Sequence, residues 1–218
     1  MSEFPVGGDF GFDDVAVESR ETAYTGYFRI DRYRLRHRLF AGGWSGPMGR
    51  EVFERGQAVA VLLYDPDADA LILIEQFRAG VYAAGSGGEI GGVASPWLIE
   101  IIAGIIGEGE ASEEVARREA MEEAGCEVGD LVRVCRIFAS PGASSETVEI
   151  FFATCKAPAA GALHGLDHEN EDIRVLVVPP EVAFSWIEEG RIVNGPSIVG
   201  LQWFQINGAR FRPASLPR

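Results

Sequence analysis

Positive charge is scarce in this 218-residue chain: 19 Lys and Arg stand against 33 Asp and Glu, a formal net charge of -14. Nucleic acids and anionic membranes both favour a cationic footprint, so neither is expected as a partner. An anionic substrate would have to be held by bound cations and a few placed arginines. Cysteine is thin as well, with Cys126, Cys135 and Cys155 widely spaced and in no metal-ligand pattern. That excludes a disulfide framework and predicts free thiols in the core. Long apolar runs are missing: AVAVLLY and LIEIIAGII fall well short of the roughly 20 residues of a membrane span. The opening MSEFPVGGDFGFDD has no basic-plus-apolar leader, and a cytoplasmic location is expected. Internal repeats are absent too. One biased tract, AGVYAAGSGGEIGGVASP at residues 79–96, has no periodicity and no phosphate-loop pattern, and reads as a mobile surface loop.

What is present is enough apolar material for a full core. With 47% hydrophobic residues, the chain reads as one enlarged domain, or one domain with a small accessory part. RETAYTGYFRIDRYRLRHRLF, residues 20–40, alternates in places and predicts paired strands with arginines on their outer face. QAVAVLLY (57–64) and LILIEQ (71–76) predict two buried strands around the turn DPDADA. Further strands are expected at 97–102, 131–138, 147–155 and 173–178, and helices at 181–190 and 196–206, the second with Pro196 in its first turn. This order suggests a mixed sheet covered on both faces, an α/β/α sandwich.

The densest feature is GIIGEGEASEEVARREAMEEAG, residues 104–125, in which seven of twenty-two residues are glutamate. Ser112 reads as an N-cap, Glu113 and Glu114 suit the positive end of the helix dipole, and Gly125 suits a left-handed C-terminal cap. At 3.6 residues per turn, Ala116, Ala120 and Ala124 form a stripe for close packing. Glu119, Glu122 and Glu123 gather on a neighbouring face. Glu119 and Glu123 are one turn apart, where like charges repel by about 0.2–0.5 kcal/mol on an exposed helix. A solvated acidic face is the common fate of such helices; a hard divalent cation such as Mg²⁺, which takes oxygen ligands and keeps positions open for phosphates, is the alternative.

The spacing decides between them. Gly104, Glu110, Arg118, Glu119, Glu122, Glu123 and Gly125 match every fixed letter of GX5EX7REUXEEXGU, the signature of the Nudix hydrolases, with Ala120 and Cys126 small for its bulky apolar positions. The chain thus resembles that family. Pro141, sixteen residues after Gly125, is similar to the mark of its ADP-ribose pyrophosphatase branch of bacterial type. The resemblance runs through most of residues 18–206, including REVFERG, LIEQFR, SPGASSE, HGLDHENEDIRV and VNGPSIVGLQW. It departs at the glycine-rich loop 83–95.

The resemblance implies a Nudix-fold α/β/α sandwich over 57–206, an N-terminal antiparallel β subdomain over 1–56 that exchanges strands within a homodimer, and a tail over 207–218. It implies two or three Mg²⁺ per site, with Mn²⁺ a possible substitute, bound by Glu119, Glu123, Glu171 and the carbonyl of Ala103. Glu122 would be a further or water-mediated ligand, Arg118 would pair with Glu110, and Gly104 would let the backbone pass close to the metal. Without the signature, HENED (168–172) would be a solvated turn; with it, Glu169 resembles the general base and His168 a bystander. Tyr27 and Phe28 are candidates for stacking on adenine, Arg50 and Arg78 for contacting the substrate, and Glu146 for a ribose hydroxyl. Phe28 as core and Arg50 as surface charge remain open alternatives. The implied activity is Mg²⁺-dependent hydrolysis of ADP-ribose to AMP and ribose 5-phosphate. Other readings are a pyrophosphatase for GDP-mannose, UDP-glucose or ADP-glucose, and a non-catalytic ADP-ribose sensor, which would typically lack catalytic glutamates.

Overall fold

The computed structural model describes residues 10–85, 94–166, 168 and 170–212. These form two compact units, one of residues up to Arg55 together with Ser140–Glu146, the other of Gly56–Ala139 and the residues from Thr147 onward.

The first unit is an antiparallel sheet of β1 (Val15–Thr25), β2 (Arg29–His37) and β3 (Met48–Glu54), in that order. Its outer face is laced with ion pairs, as the arginine-rich pattern predicts: Arg32 reaches Glu21 on one side at 3.0 Å and Glu51 on the other at 3.1 Å. Each such exposed pair contributes only about 0–1 kcal/mol. Asp31 is different, being 1% exposed. It accepts from Arg20 Nε at 2.9 Å and Nη2 at 2.6 Å and from the Thr22 hydroxyl at 2.9 Å, which ties β2 to β1. Residues 140–146 join this unit through backbone bonds from Phe53 N to Ala143 O (2.8 Å) and from Ser145 N to Phe53 O (3.1 Å).

The second unit carries β4 (Gln57–Asp65), β5 (Ala70–Phe77), α1 (Ala79–Gly85), β6 (Trp97–Glu100), β7 (Ile102–Ile106), α2 (Ser112–Ala124), β8 (Leu131–Phe138), β9 (Thr147–Thr154), β10 (Leu163–His164), β11 (Ile173–Val178), α3 (Pro180–Glu188) and α4 (Gly195–Asn207). Its sheet runs β10-β11-β5-β4-β9-β8, with β6 paired to β5 and β7 to β4. β4 and β9 are parallel and the other pairs antiparallel, so the sheet is mixed.

The near-continuous apolar sequence of β4 follows from its burial on both faces. Val59, Val61 and Leu63 pack with Ala116, Ala120 and Ala124 of α2. Ala60, Leu62 and Tyr64 pack with Ala183 of α3 and with Leu201 and Phe204 of α4. Helices therefore cover both faces, the α/β/α arrangement expected. No helix among the described residues is long and apolar enough to cross a membrane.

Three expectations are corrected. The strand of 97–102 is two strands, because the Ile101 N–H donates to the Ser197 hydroxyl (2.9 Å) and the chain moves there from β5 to β4 as partner. The tract 79–96 opens with helix α1, its first turn closed by bonds from Val81 N and Tyr82 N to the Arg78 carbonyl, and residues 86–93 lie outside the described set. Ser112 is the first residue of α2 and Ala111 the cap, since Ala111 keeps the extended backbone (φ -82°, ψ 136°) of a cap residue while Ser112 is already helical. Gly125 does cap the helix, at φ 64°. Cys126, Cys135 and Cys155 are all free, with only Cys126 fully buried.

The alanine stripe of α2 sets how close the helix approaches the sheet. Ala120→Leu is expected to lose about 1–3 kcal/mol of stability through overpacking, measured as a lower urea midpoint at unchanged slope.

Candidate active site

The acidic face of α2 meets the strand in front of it. Ala103 in β7 donates its N–H to Glu123 Oε2 at 2.9 Å, fixing the carboxylate against the strand. Glu123 is 3% exposed. Burial pushes its carboxyl up to about 8, the charges of Glu119 and Glu171 push the same way, and the Ala103 N–H and the Arg78 charge oppose them. Two further carboxylates are thus felt at a buried third.

Gly104 makes this approach possible. A Cβ there would lie 2.1 Å from Glu119 Oε1, so a side chain would displace the carboxylate. Glu171 is held at the mouth of β11 by a closed loop: its N–H donates to the Leu166 carbonyl and its Oε2 accepts from the Leu166 N–H, both at 3.3 Å. Gly165, at φ 103°, fits against Glu171 and donates its N–H to the carbonyl of Glu122, so the loop docks on α2. His164, whose ring lies against Gly125, and Gly165 stood in the sequence only as part of the resembling segment HGLDHENEDIRV, since packing of a loop on a helix end has no local signal.

Arg118 is shared among several carboxylates. Its Nη1 lies 3.0 Å from both Glu119 Oε1 and Glu122 Oε2, while Nη2 is 3.9 Å from Glu110. The expected Arg118–Glu110 pair is thus the weakest of the three, because Glu110 turns its Oε2 onto the Gly107 N–H at 2.7 Å.

Whether these groups suit a hard divalent cation can be asked of the donors themselves. Among the described residues no three acidic, imidazole or thiol groups are gathered tightly enough to hold an ion as they stand. Glu119 is engaged by Arg118 and Glu171 by Leu166, contacts with which a cation would compete. A carboxyl buried beside two others is costly when ionised, and a divalent ion would relieve that cost while taking oxygen donors, so the donor chemistry suits such an ion.

The remaining candidates are distributed over both units. Arg78 follows β5 and binds the buried Glu100 through Nε at 2.8 Å and Nη2 at 2.7 Å. In the first unit Tyr27 is 87% exposed, whereas Phe28 is half-buried and packs edge-on against Phe53 with centroids 5.0 Å apart. Arg50 is exposed and donates to the Gly49 carbonyl at 2.7 Å. Glu146 is ion-paired with Arg55. His168 is exposed, and Glu169 lies outside the described residues.

With this geometry established, comparison with known proteins is direct. The NUDIX domain family matches residues 54–213, most of the chain, and the chain belongs to that family. Within it, the chain is 48% identical over 198 residues to the ADP-ribose pyrophosphatase of Escherichia coli (strain K12), covering 91% of each. It is 42% identical over 204 residues to that of Haemophilus influenzae, covering 93% of this chain and 91% of the relative. The GDP-mannose pyrophosphatase of Enterobacter sp. (strain 638) is 36% identical over 160 residues, 73% of this chain and 78% of the relative. A crystal structure of an ADP compounds hydrolase shares the fold, at a TM-score of 0.64 and 18% identity over 89% of this chain and 96% of its own.

The raised carboxyl makes a signed prediction. Between the ordinary carboxyl range and about 8, the folded protein holds a proton at Glu123 that the unfolded chain has released, so stability falls as pH rises. Glu119 and Glu171 strengthen this dependence; Arg78 and the Ala103 N–H weaken it. In chelator, the melting temperature of the wild type is expected to fall from pH 5 to pH 8 relative to that of Glu123→Gln, and added Mg²⁺ to close the gap by stabilising the wild type alone. Parallel pH curves for the two proteins would contradict the assignment.

Proposed function

We propose that this chain hydrolyses the diphosphate of ADP-ribose to AMP and ribose 5-phosphate. The observation that carries the reading is the buried Glu123 beside Glu119 and Glu171 on a helix that bears the complete family signature. The named activity of relatives 48% and 42% identical over nine tenths of their length supports this substrate.

Glu119, Glu123, Glu171 and the Ala103 carbonyl would hold two or three Mg²⁺, or Mn²⁺ in its place. When bound, the metal supplies charge neutralisation of the diphosphate and an acidified water. The residues do the rest. Glu169 accepts the proton of the attacking water, as its resemblance to the family's base implies. Glu122 holds a water or a metal ion from the edge of the cluster, and Arg118 sets the orientation of Glu119 and Glu122. Arg78 offers a cation to phosphate oxygens. Tyr27 is the adenine-stacking candidate, with Phe28 packed behind it; Arg50 is a further phosphate or ribose contact, and Glu146 an acceptor for a ribose hydroxyl.

A homodimer with exchanged N-terminal strands and a cytoplasmic location accompany this reading. The exposure of nearly every residue of β1, with Tyr24 61% accessible, and of Tyr27 just beyond it at 87%, supports a further partner for that sheet.

Product analysis by mass spectrometry tests the activity across ADP-ribose, ADP-glucose, GDP-mannose and UDP-glucose in Mg²⁺. EDTA-sensitive release of AMP and ribose 5-phosphate, with ADP-ribose preferred, is expected. Glu123→Gln and Glu169→Gln should each lower turnover by orders of magnitude while remaining folded. A preference for GDP-mannose would reassign the substrate, and tight ADP-ribose binding without cleavage would make the chain a sensor. Light scattering on the same sample should give twice the chain mass, and a monomer would remove the strand exchange.

A further inference from the structure

Arg78 is not held by chance rotamer preference. Both its Nε and its Nη2 donate to one oxygen of Glu100, at 2.8 and 2.7 Å. Glu100, the last residue of β6, is 3% exposed, and a carboxylate so buried is tolerated only with its hydrogen-bonding capacity filled. Asn194 fills it by donating Nδ2 to the other oxygen, Oε1, at 2.6 Å, with Gln76 Nε2 at 3.4 Å from Oε2.

Asn194 is itself fixed by a second bond. Its Oδ1 accepts from the Ser197 N–H at 3.1 Å, capping α4, and the Ser197 hydroxyl accepts the N–H of Ile101. The N-terminus of α4 therefore grips two consecutive residues of the chain, Glu100 by side chain and Ile101 by backbone. Two residues further on, Ala103 makes its bond to Glu123. The Asn-Gly-Pro-Ser stretch of residues 194–197 thus acts through the strand that borders the acidic cluster.

Arg78 lies at the other end of this relay. Its side chain stays 37% exposed, and its partner Glu100 stands three residues before Ala103, whose N–H bonds Glu123. A buried Arg–Glu pair is a weak source of stability in itself, since desolvation offsets much of the attraction. Holding an arginine beside a diphosphate site has a separate benefit: the rotamer freedom of the guanidinium, about 0.5–1.5 kcal/mol for a side chain immobilised on binding, is removed before the substrate arrives. We infer that Glu100 and Asn194 are positioning residues, which hold the Arg78 guanidinium in place for the substrate's diphosphate.

This rests on the proposed diphosphate hydrolysis, and the test separates the two. Glu100→Gln, Asn194→Ser, Arg78→Ala and the double variant Arg78→Ala/Glu100→Gln are assayed with whichever nucleotide diphosphate the wild type cleaves best. A wild type that prefers another diphosphate changes the substrate and leaves the test intact. If the wild type cleaves none, the same proteins are titrated with ADP-ribose by calorimetry, and Kd replaces KM. Serine keeps the cap on α4 while losing the reach to Glu100, so Asn194→Ser is the variant that preserves folding. Glu100→Gln and Asn194→Ser are each expected to raise KM roughly two- to tenfold with kcat little changed, the factor that restoring one side chain's freedom implies. In the Arg78→Ala background, Glu100→Gln should add no further increase. A purely structural role would instead lower the melting temperature at unchanged KM, or leave the Glu100→Gln effect intact without Arg78. Either result overturns the inference.

Discussion

Much of the second unit is arranged around one unfavourable act, the burial of the Glu123 carboxyl beside two others. A lone carboxyl in that position would cost several kcal/mol if ionised. The surrounding elements make the position possible without removing the cost. The Ala103 N–H supplies one bond, the absence of a side chain at Gly104 lets Glu119 come close, and the loop from Gly165 to Glu171 brings in the third acid. A divalent cation would relieve that cost, which is the part the proposed function gives it.

The sheet holds these acids in place. β4 is buried on both sides, between the alanine stripe of α2 and the aromatic and aliphatic side chains of α3 and α4. β7, which carries Ala103 and Gly104, is hydrogen-bonded along β4 from Gln57 to Val61. Ala116, Ala120 and Ala124 allow α2 to lie close on that sheet, and a close helix brings Glu119 and Glu123 to the strand. Packing and chemistry are therefore one arrangement: the same helix presents small residues to the core and acids to the site.

Supporting contacts reach the site from elsewhere in the chain. Asn194 and Ser197 begin a helix some ninety residues after Glu100 and Ile101, yet bond to both. Glu149 of β9 pairs with Arg133 and Arg136 from β8. The last turn of the acidic helix is anchored on the loop at Gly165, whose N–H donates to the Glu122 carbonyl.

The sequence alone determined the elements whose signals are local. Apolar runs of strand length around DPDADA, the glutamate spacing of 110–123 and the left-handed cap at Gly125 are visible because each depends on neighbours a few residues away. The candidate metal acids on α2 were legible for the same reason: one helix turn places them together. Tertiary structure decided what depends on distant partners. The break at Ile101 is set by Ser197, and the packing of Phe28 by Phe53. Glu100 read as one more polar residue at a strand's end, and only the fold brings Arg78 and Asn194 to it. Local periodicity records which face a residue takes; the partner across that face is chosen when the chain closes on itself.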